Sequence, residues 1–237
     1  MLERPNFGAK EQEPKIEIVK VQGIQIVDQM TIPAIKGIDE EKQKEINKYA
    51  CGAALMEMMS RFWQQKGQLE KIVTAKQALW EVFGVDLEKD FREGDPDTHI
   101  YPGLGCTVEA LAKAGKKIGL QGSNFFYHWP LGQILDNVEN GFPTIMEVGA
   151  RDVSKNHYVD WTTPSGKHYW QLTNGHFVLI TGFERDKKTG VYSKIFVADT
   201  LHYTWFDHYN PQEFKSAAYN FYADNPYYWG QGVILKP

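Results

Sequence analysis

The chain has 237 residues, 42% of them hydrophobic and 24% charged, with a formal net charge of −4. That is long enough for one sizeable core or two small ones, and too apolar for a disordered chain. It has no Lys/Arg run that suggests a nucleic-acid surface and no apolar run as long as a membrane span, and its two cysteines, Cys51 and Cys106, are too few for a disulfide scaffold or a Cys-based zinc site.

In chain order, Met1 to Pro14 reads as a loose polar arm, and residues 15–237 as a single domain. No basic segment followed by an apolar core marks a signal peptide at the start. Lys15 to Val27 alternates through Ile16, Ile18, Val19, Val21, Ile24 and Ile26, and predicts a strand pair around Gln22-Gly23. Pro33 to Asn47 is a charged approach to the stretch Tyr49 to Trp63. There Leu55, Met58, Met59 and Phe62 form the stripe of an amphipathic helix, with Glu57, Ser60, Arg61, Gln64 and Gln65 on the opposite face. Cys51 falls in its first turn. A helix start presents unpaired N–H groups and the positive end of the macrodipole, so a thiol there ionises more readily, and the thiolate is the nucleophile.

Thr74-x-x-Gln77 has the form of a capping box, and Gly84 closes that helix. Asp86 to Gly105 is an acidic, turn-rich loop. Thr107 is placed to cap a helix from Val108 to Ala114 that ends at Gly115. Cys106 just before it is a rival nucleophile, and a Cys51–Cys106 disulfide would consume both thiols. Pro130 opens a helix carrying Leu131, Ile134, Leu135 and Val138, and Pro143 to Val148 reads as a strand. Asp152 to Asn174 is long and aromatic. His176 to Phe183 has the apolar run of a central strand, Glu184 to Gly190 is a charged turn, and Val191 to Asp199 returns beside it. Asn210-Pro211-x-Glu213 starts a helix carrying Phe214, Ala217, Ala218 and Phe221, and Gly232 to Leu235 closes as a strand. Helices followed by antiparallel strands predict an α+β fold whose two halves pack around one cleft.

If a hairpin joins 176–183 to 191–199, His176 and Asp199 lie side by side at its open end. Asp199 can then hold one ring nitrogen while the other faces a thiol, which stabilises a thiolate–imidazolium pair. The histidines His157, His168, His202 and His208 sit in aromatic loops at spacings that match no metal-ligand pattern, so no metal is expected.

Cys51-Gly-Ala-Ala-Leu opening a helix resembles the Cys-Gly-Pro-Ala start of the papain-like C39-like cysteine peptidases. Gly175-His-Phe-Val-Leu-Ile-Thr-Gly-Phe183 resembles that family's Gly-His-strand segment. Phe196-Val-Ala-Asp-Thr200 resembles the following strand, and Leu135 to Val148 the helix and strand before it. The resemblance implies a papain-like α+β fold, with a helical half carrying the Cys helix packed on a C-terminal antiparallel sheet. It implies a thiol hydrolase of peptide or amide bonds, acting on a peptide or protein substrate through a thioester and without cofactor or metal. Cys51 would be the nucleophile, His176 the acid and base, and Asp199 the orienting residue. Relatives of this kind often work outside the cytoplasm.

Two positions depart from the family pattern. Ala53 stands where Pro is usual. Glu45 stands six residues before the Cys, where the family supplies an oxyanion-hole Gln, which leaves Gln43 or Asn47 as substitutes. Gly52, Gly175, Trp161 and Trp170 are the expected lining of the substrate cleft. Two rival expectations share the fold: a catalytically weak or inactive domain that binds a peptide or protein partner, and a thiol acyltransferase.

Overall fold

The computed structural model describes residues 15–94, 96–149, 158–163, 165–172, 175–201, 208–218 and 230–237; the expected arm at 1–14 lies outside them. β1 (Ile16–Lys20) leads through a 3-10 turn (Gln29–Thr31) to α1 (Glu40–Asn47) and α2 (Cys51–Gln65). A short α3 (Ala75–Gln77) runs on as a π-helical turn (Ala78–Phe83), followed by α4 (Val108–Lys117), β2 (Asn124–Phe126) and α5 (Leu131–Glu139). The strands β3 (Thr144–Val148), β4 (Tyr158–Thr162), β5 (His168–Leu172), β6 (His176–Asp186), β7 (Tyr192–Asp199) and β8 (His208–Tyr209) come next. They precede α6 (Pro211–Ala218) and β9 (Gly232–Ile234).

The main sheet runs β2-β9-β3-β6-β7-β8, with β1 on the far half of β6, and β4-β5 forms a separate hairpin. Every named pair is antiparallel. Side chains alternate between the two faces of the sheet. On one face Ile145, Phe177, Leu179, Ala198 and Val233 share a core with α2 and α4. On the other, Met146, Val148, Val178, Ile180 and Val197 pack with α5 and α6. Mixed helix and antiparallel sheet is thus the architecture, with helices on both faces. Among the described residues no helix is long and apolar enough to cross a membrane.

Tertiary packing changed several local expectations. α2 is buried nearly all round, Glu57 and Ser60 included, because the Val73–Ala75 segment lies over the face expected to be wet. Glu57 is satisfied there by Arg61 (2.5 Å) and by the Ala75 N–H (2.5 Å). Ser60 exchanges hydrogen bonds with both backbone groups of Val73 at 3.1 Å. The 15–27 stretch does not pair with itself: β1 pairs with β6 instead. Gly182 permits that approach, since a Cβ there would lie 2.3 Å from the Val19 carbonyl oxygen. Nor does Gly115 end α4. It is a close-packing glycine whose Cβ would meet Ser123 Oγ at 2.6 Å, and the helix continues to Lys117. Residues 40–47, expected as a charged approach, form a helix capped by Asp39, whose side chain accepts from the Lys42 N–H at 2.8 Å. Phe221 of the expected last helix lies outside the described residues.

Candidate active site

A tight turn joins α1 to α2. The N–H groups of Lys48, Tyr49 and Ala50 bond back to the carbonyls of Glu45, Ile46 and Asn47. Ala50 stands at the N-cap of α2 and supplies no side-chain cap. The positive end of a 15-residue helix therefore sits at Cys51 with its first N–H groups turned outward.

His176 and Asp199 come together from the adjacent strands β6 and β7. The register pairs Val178 with Asp199, which sets Asp199 diagonally across from His176. His176 Nε2 donates to Asp199 Oδ1 at 2.6 Å, and the same oxygen accepts the Leu201 N–H at 2.8 Å. Nδ1 is then the ring nitrogen left to face the cleft that Cys51 also lines. Burial pulls the His176 pKa down. Its hydrogen bonds to Asp199 and Cys51, with the charges behind them, outweigh burial and push the pKa up to about 10. The ring is thus held as an imidazolium across the neutral range.

A cleft of about 300 Å3 opens here, lined among the described residues by Lys48, Tyr49, Cys51, Leu104, Gly105, Cys106, Glu147, Gly175, His176, Phe177 and Leu201. Both cysteines are free thiols. Cys106 is 2% exposed, and burial first, then repulsion from Cys51 and Glu147, raises its pKa well above that of an ordinary thiol. That environment keeps Cys106 protonated and makes it the poorer nucleophile. Gly52 does not line the cleft; it is glycine because a Cβ there would lie 2.5 Å from Cys106 Sγ. Trp161 and Trp170 lie on the paired strands β4 and β5, and their side chains fall outside the described residues. Among the described residues no group of three or more His, Cys, Asp or Glu is placed to hold a metal.

The Peptidase_C39 like family matches residues 22–227. The chain belongs to this family. A solved structure described as a candidate C39-like peptidase from Bacillus anthracis is similar in fold. Its TM-score is 0.62 at 16% identity, over 93% of this chain and 98% of that one. No curated protein matches the sequence. Membership of the C39-like family points to a cysteine peptidase.

The three side chains considered for an oxyanion hole in this C39-like chain are placed elsewhere. Because residues 40–47 form a regular helix, Gln43 and Asn47 share its buried side, one turn apart. Gln43 Nε2 donates to Asn47 Oδ1 at 2.7 Å, and Asn47 Nδ2 donates to the carbonyls of Met30 and Ile32 at 3.2 and 2.9 Å. Glu45 points to solvent and pairs with Lys48 at 2.7 Å. None of the three lines the cleft.

A residue that the sequence did not single out ties the site together. Gln29, fully buried, donates from Nε2 to the carbonyls of Asn47 (2.9 Å) and Lys48 (3.2 Å). Its Oε1 accepts the Thr200 hydroxyl at 2.6 Å, and its N–H bonds the Thr200 carbonyl at 3.0 Å. One amide thus clamps the turn that leads into Cys51 to the residue that follows Asp199. No local pattern announces it, because its partners are 18 and 171 residues away.

Proposed function

We propose that this chain is a thiol-dependent hydrolase that cleaves a peptide or amide bond within a papain-like, single-domain arrangement. Cys51 attacks the carbonyl as a thiolate. His176, charged at that point, gives its Nδ1 proton to the leaving amine nitrogen, and a thioester on Cys51 remains. His176, now neutral, takes a proton from water as the water attacks the thioester, and the acid product leaves. Asp199 stays ionised throughout and fixes the ring by its bond to Nε2. The oxyanion of each tetrahedral intermediate is received by the Cys51 N–H at the uncapped helix start. One such donor typically contributes about 2.7–4 kcal/mol to the transition state.

The observation that carries this reading is a single imidazole bonded to Asp199 at 2.6 Å in the same cleft that Cys51, at the start of α2, lines. The test is iodoacetamide alkylation against pH, read at Cys51 and Cys106 separately by peptide mass. Cys51 is expected to react at pH values near 6, where an ordinary thiol is almost fully protonated, and His176→Ala is expected to remove that advantage. Peptide turnover that vanishes in Cys51→Ser completes the case. A Cys51 that behaves as an ordinary thiol in the folded protein, or a Cys106 that reacts first, overturns it.

The placement of Gln43, Asn47 and Glu45 away from the cleft favours a second reading, a cleft that binds a peptide or protein and turns it over slowly or not at all. Absence of turnover with a tight-binding peptide and an intact Cys51–His176 pair is its signature. A thiol acyltransferase would use the same residues with an amine as acceptor, and an amide product formed with added amine identifies it.

A further inference from the structure

Peptide cleavage uses one of the two cysteines and leaves Cys106 without a role, yet the fold brings Cys106 to the nucleophile by two contacts. The turn at Tyr101–Gly105 is closed by the Tyr101 N–H on the Gly105 carbonyl at 3.1 Å and by the Gly105 N–H on the Tyr101 carbonyl at 2.9 Å. It carries the chain past the turn that leads into α2, where a Cβ on Gly105 would lie 3.5 Å from the Tyr49 carbonyl oxygen. The next residue, Cys106, sets its sulfur against the first turn of α2, where a Cβ on Gly52 would lie 2.5 Å from Sγ. Consecutive residues 105 and 106 therefore touch residues 49 and 52, and Cys51 lies between the two contacts.

The Cys106 sulfur is thus within about 4 Å of the Gly52 Cα, and the Cys51 Cα is about 3.8 Å further along the chain. A disulfide needs Cα atoms about 4.4–6.8 Å apart. Gly105 and Gly52, one on each segment and neither with a side chain to hold the backbones apart, allow that approach. Both thiols are free, and both line the same cleft. They differ in readiness to be oxidised. Peroxides attack thiolates, and burial keeps Cys106 protonated, so Cys51 is the first to react. Repulsion from Cys51 also helps to hold the Cys106 proton. That repulsion disappears once Cys51 is a neutral sulfenic acid, so Cys106 becomes the better nucleophile when it is needed.

Building on the Cys51 thiolate of the hydrolase reading, we propose that Cys106 is a resolving cysteine, which captures Cys51 after oxidation by a peroxide and holds the site as a reversible Cys51–Cys106 disulfide. The Cys51 thiolate attacks one oxygen of hydrogen peroxide, the O–O bond breaks, and a sulfenic acid and hydroxide form. The Cys106 sulfur then attacks Cys51 Sγ, and the departing hydroxide takes the Cys106 proton and leaves as water. Two electrons pass from the thiols to the peroxide, and a dithiol reductant returns them by exchange. Without such a neighbour a sulfenic acid goes on to the sulfinic acid, which thiols do not reverse.

The test exposes the folded protein to a slight excess of hydrogen peroxide at neutral pH, alkylates the remaining thiols in urea, and reads a non-reduced digest by mass. The expected product is a linked pair of Cys51 and Cys106 peptides, from protein that stays monomeric on a non-reducing gel, with both thiols restored by dithiothreitol. In Cys106→Ala, dimedone should trap the Cys51 sulfenic acid, and without dimedone Cys51 should reach the sulfinic acid at least about tenfold faster than in the wild type. Wild-type Cys51 that reaches the sulfinic acid as fast as in Cys106→Ala, a link formed only between two molecules, or a Cys51 untouched by peroxide overturns the proposal. The linked pair is read in the wild type, so a Cys106→Ala protein that fails to fold leaves the test intact.

Peptide turnover on the same samples separates this proposal from the hydrolase reading. A linked pair in a protein that cuts no peptide leaves the resolving role standing and removes the hydrolase. Turnover that peroxide abolishes with no linked pair, and that dithiothreitol does not restore, keeps the hydrolase and overturns the resolving role.

Discussion

Replacing Gln29 by methionine keeps its length and removes its amide. The Lys48 carbonyl and the Thr200 hydroxyl then lose the hydrogen bonds that Gln29 makes to them, at 3.2 and 2.6 Å. The Asn47 carbonyl loses one bond at 2.9 Å but keeps the Ala50 N–H at 3.2 Å. A buried polar group left without its partner costs about 1–3 kcal/mol, so two such groups give a loss of roughly 2–6 kcal/mol. Urea unfolding followed by tryptophan fluorescence should show the midpoint falling with the slope unchanged. Because the clamp joins the turn before Cys51 to the residue after Asp199, the reaction of Cys51 with iodoacetamide near pH 6 should slow as well, even in protein that is fully folded. Gln29→Glu is the informative companion. It still accepts from Thr200, yet it sets a carboxylate against two carbonyls, so it should fall at least as far as the methionine variant. A Gln29→Met protein within about 0.5 kcal/mol of the wild type, with an unaltered Cys51 reaction, would refute the clamp.

Two further outcomes follow from the same geometry. The folded His176 pKa, about 10, lies above the ordinary histidine value of 6.5, so the stability contributed by its charged form is fully present below pH 6.5 and drains away as pH rises toward 10. The urea midpoint should fall across that window in the wild type and fall less in His176→Gln; a decline of equal size in both excludes His176 as its source. Gly52→Ala drives a Cβ to 2.5 Å from the buried Cys106 Sγ and should destabilise by about 1–3 kcal/mol. The penalty should shrink in a Cys106→Ala background, and strictly additive losses would show that the two residues do not meet.

The parts of this protein legible in its sequence are those built from short-range interactions. The capping box at Thr74 and Gln77, the cap of α4 by Thr107 and the stripe of α5 involve residues three or four apart, and all are present. The adjacency of His176 and Asp199 could be reasoned because a tight turn forces the next strand back along the first, which brings two residues 23 apart into one corner. Even there, the register shift between Ile180 and Gly182 sets Asp199 opposite Val178, where the register nearer the turn would have set it opposite Leu179, and no turn rule anticipates that shift.

What only the tertiary structure decided was which polar residues are buried and what they do. Glu57 and Ser60 have the composition of a wet helix face, yet another segment covers them. Gln43 and Asn47 have the chemistry of oxyanion donors, yet a regular helix turns the Gln43 amide onto Asn47 and the Asn47 amide onto the carbonyls of Met30 and Ile32. Gln29 carries no pattern at all; its significance lies in partners far along the chain. A hydrogen bond or a charge acts over a few ångströms of space, whereas sequence patterns report only neighbours along the chain. The chain by itself therefore determined where helices start, where strands turn back and which family it resembles. The packing of α2 against the sheet decided which side chains meet at Cys51.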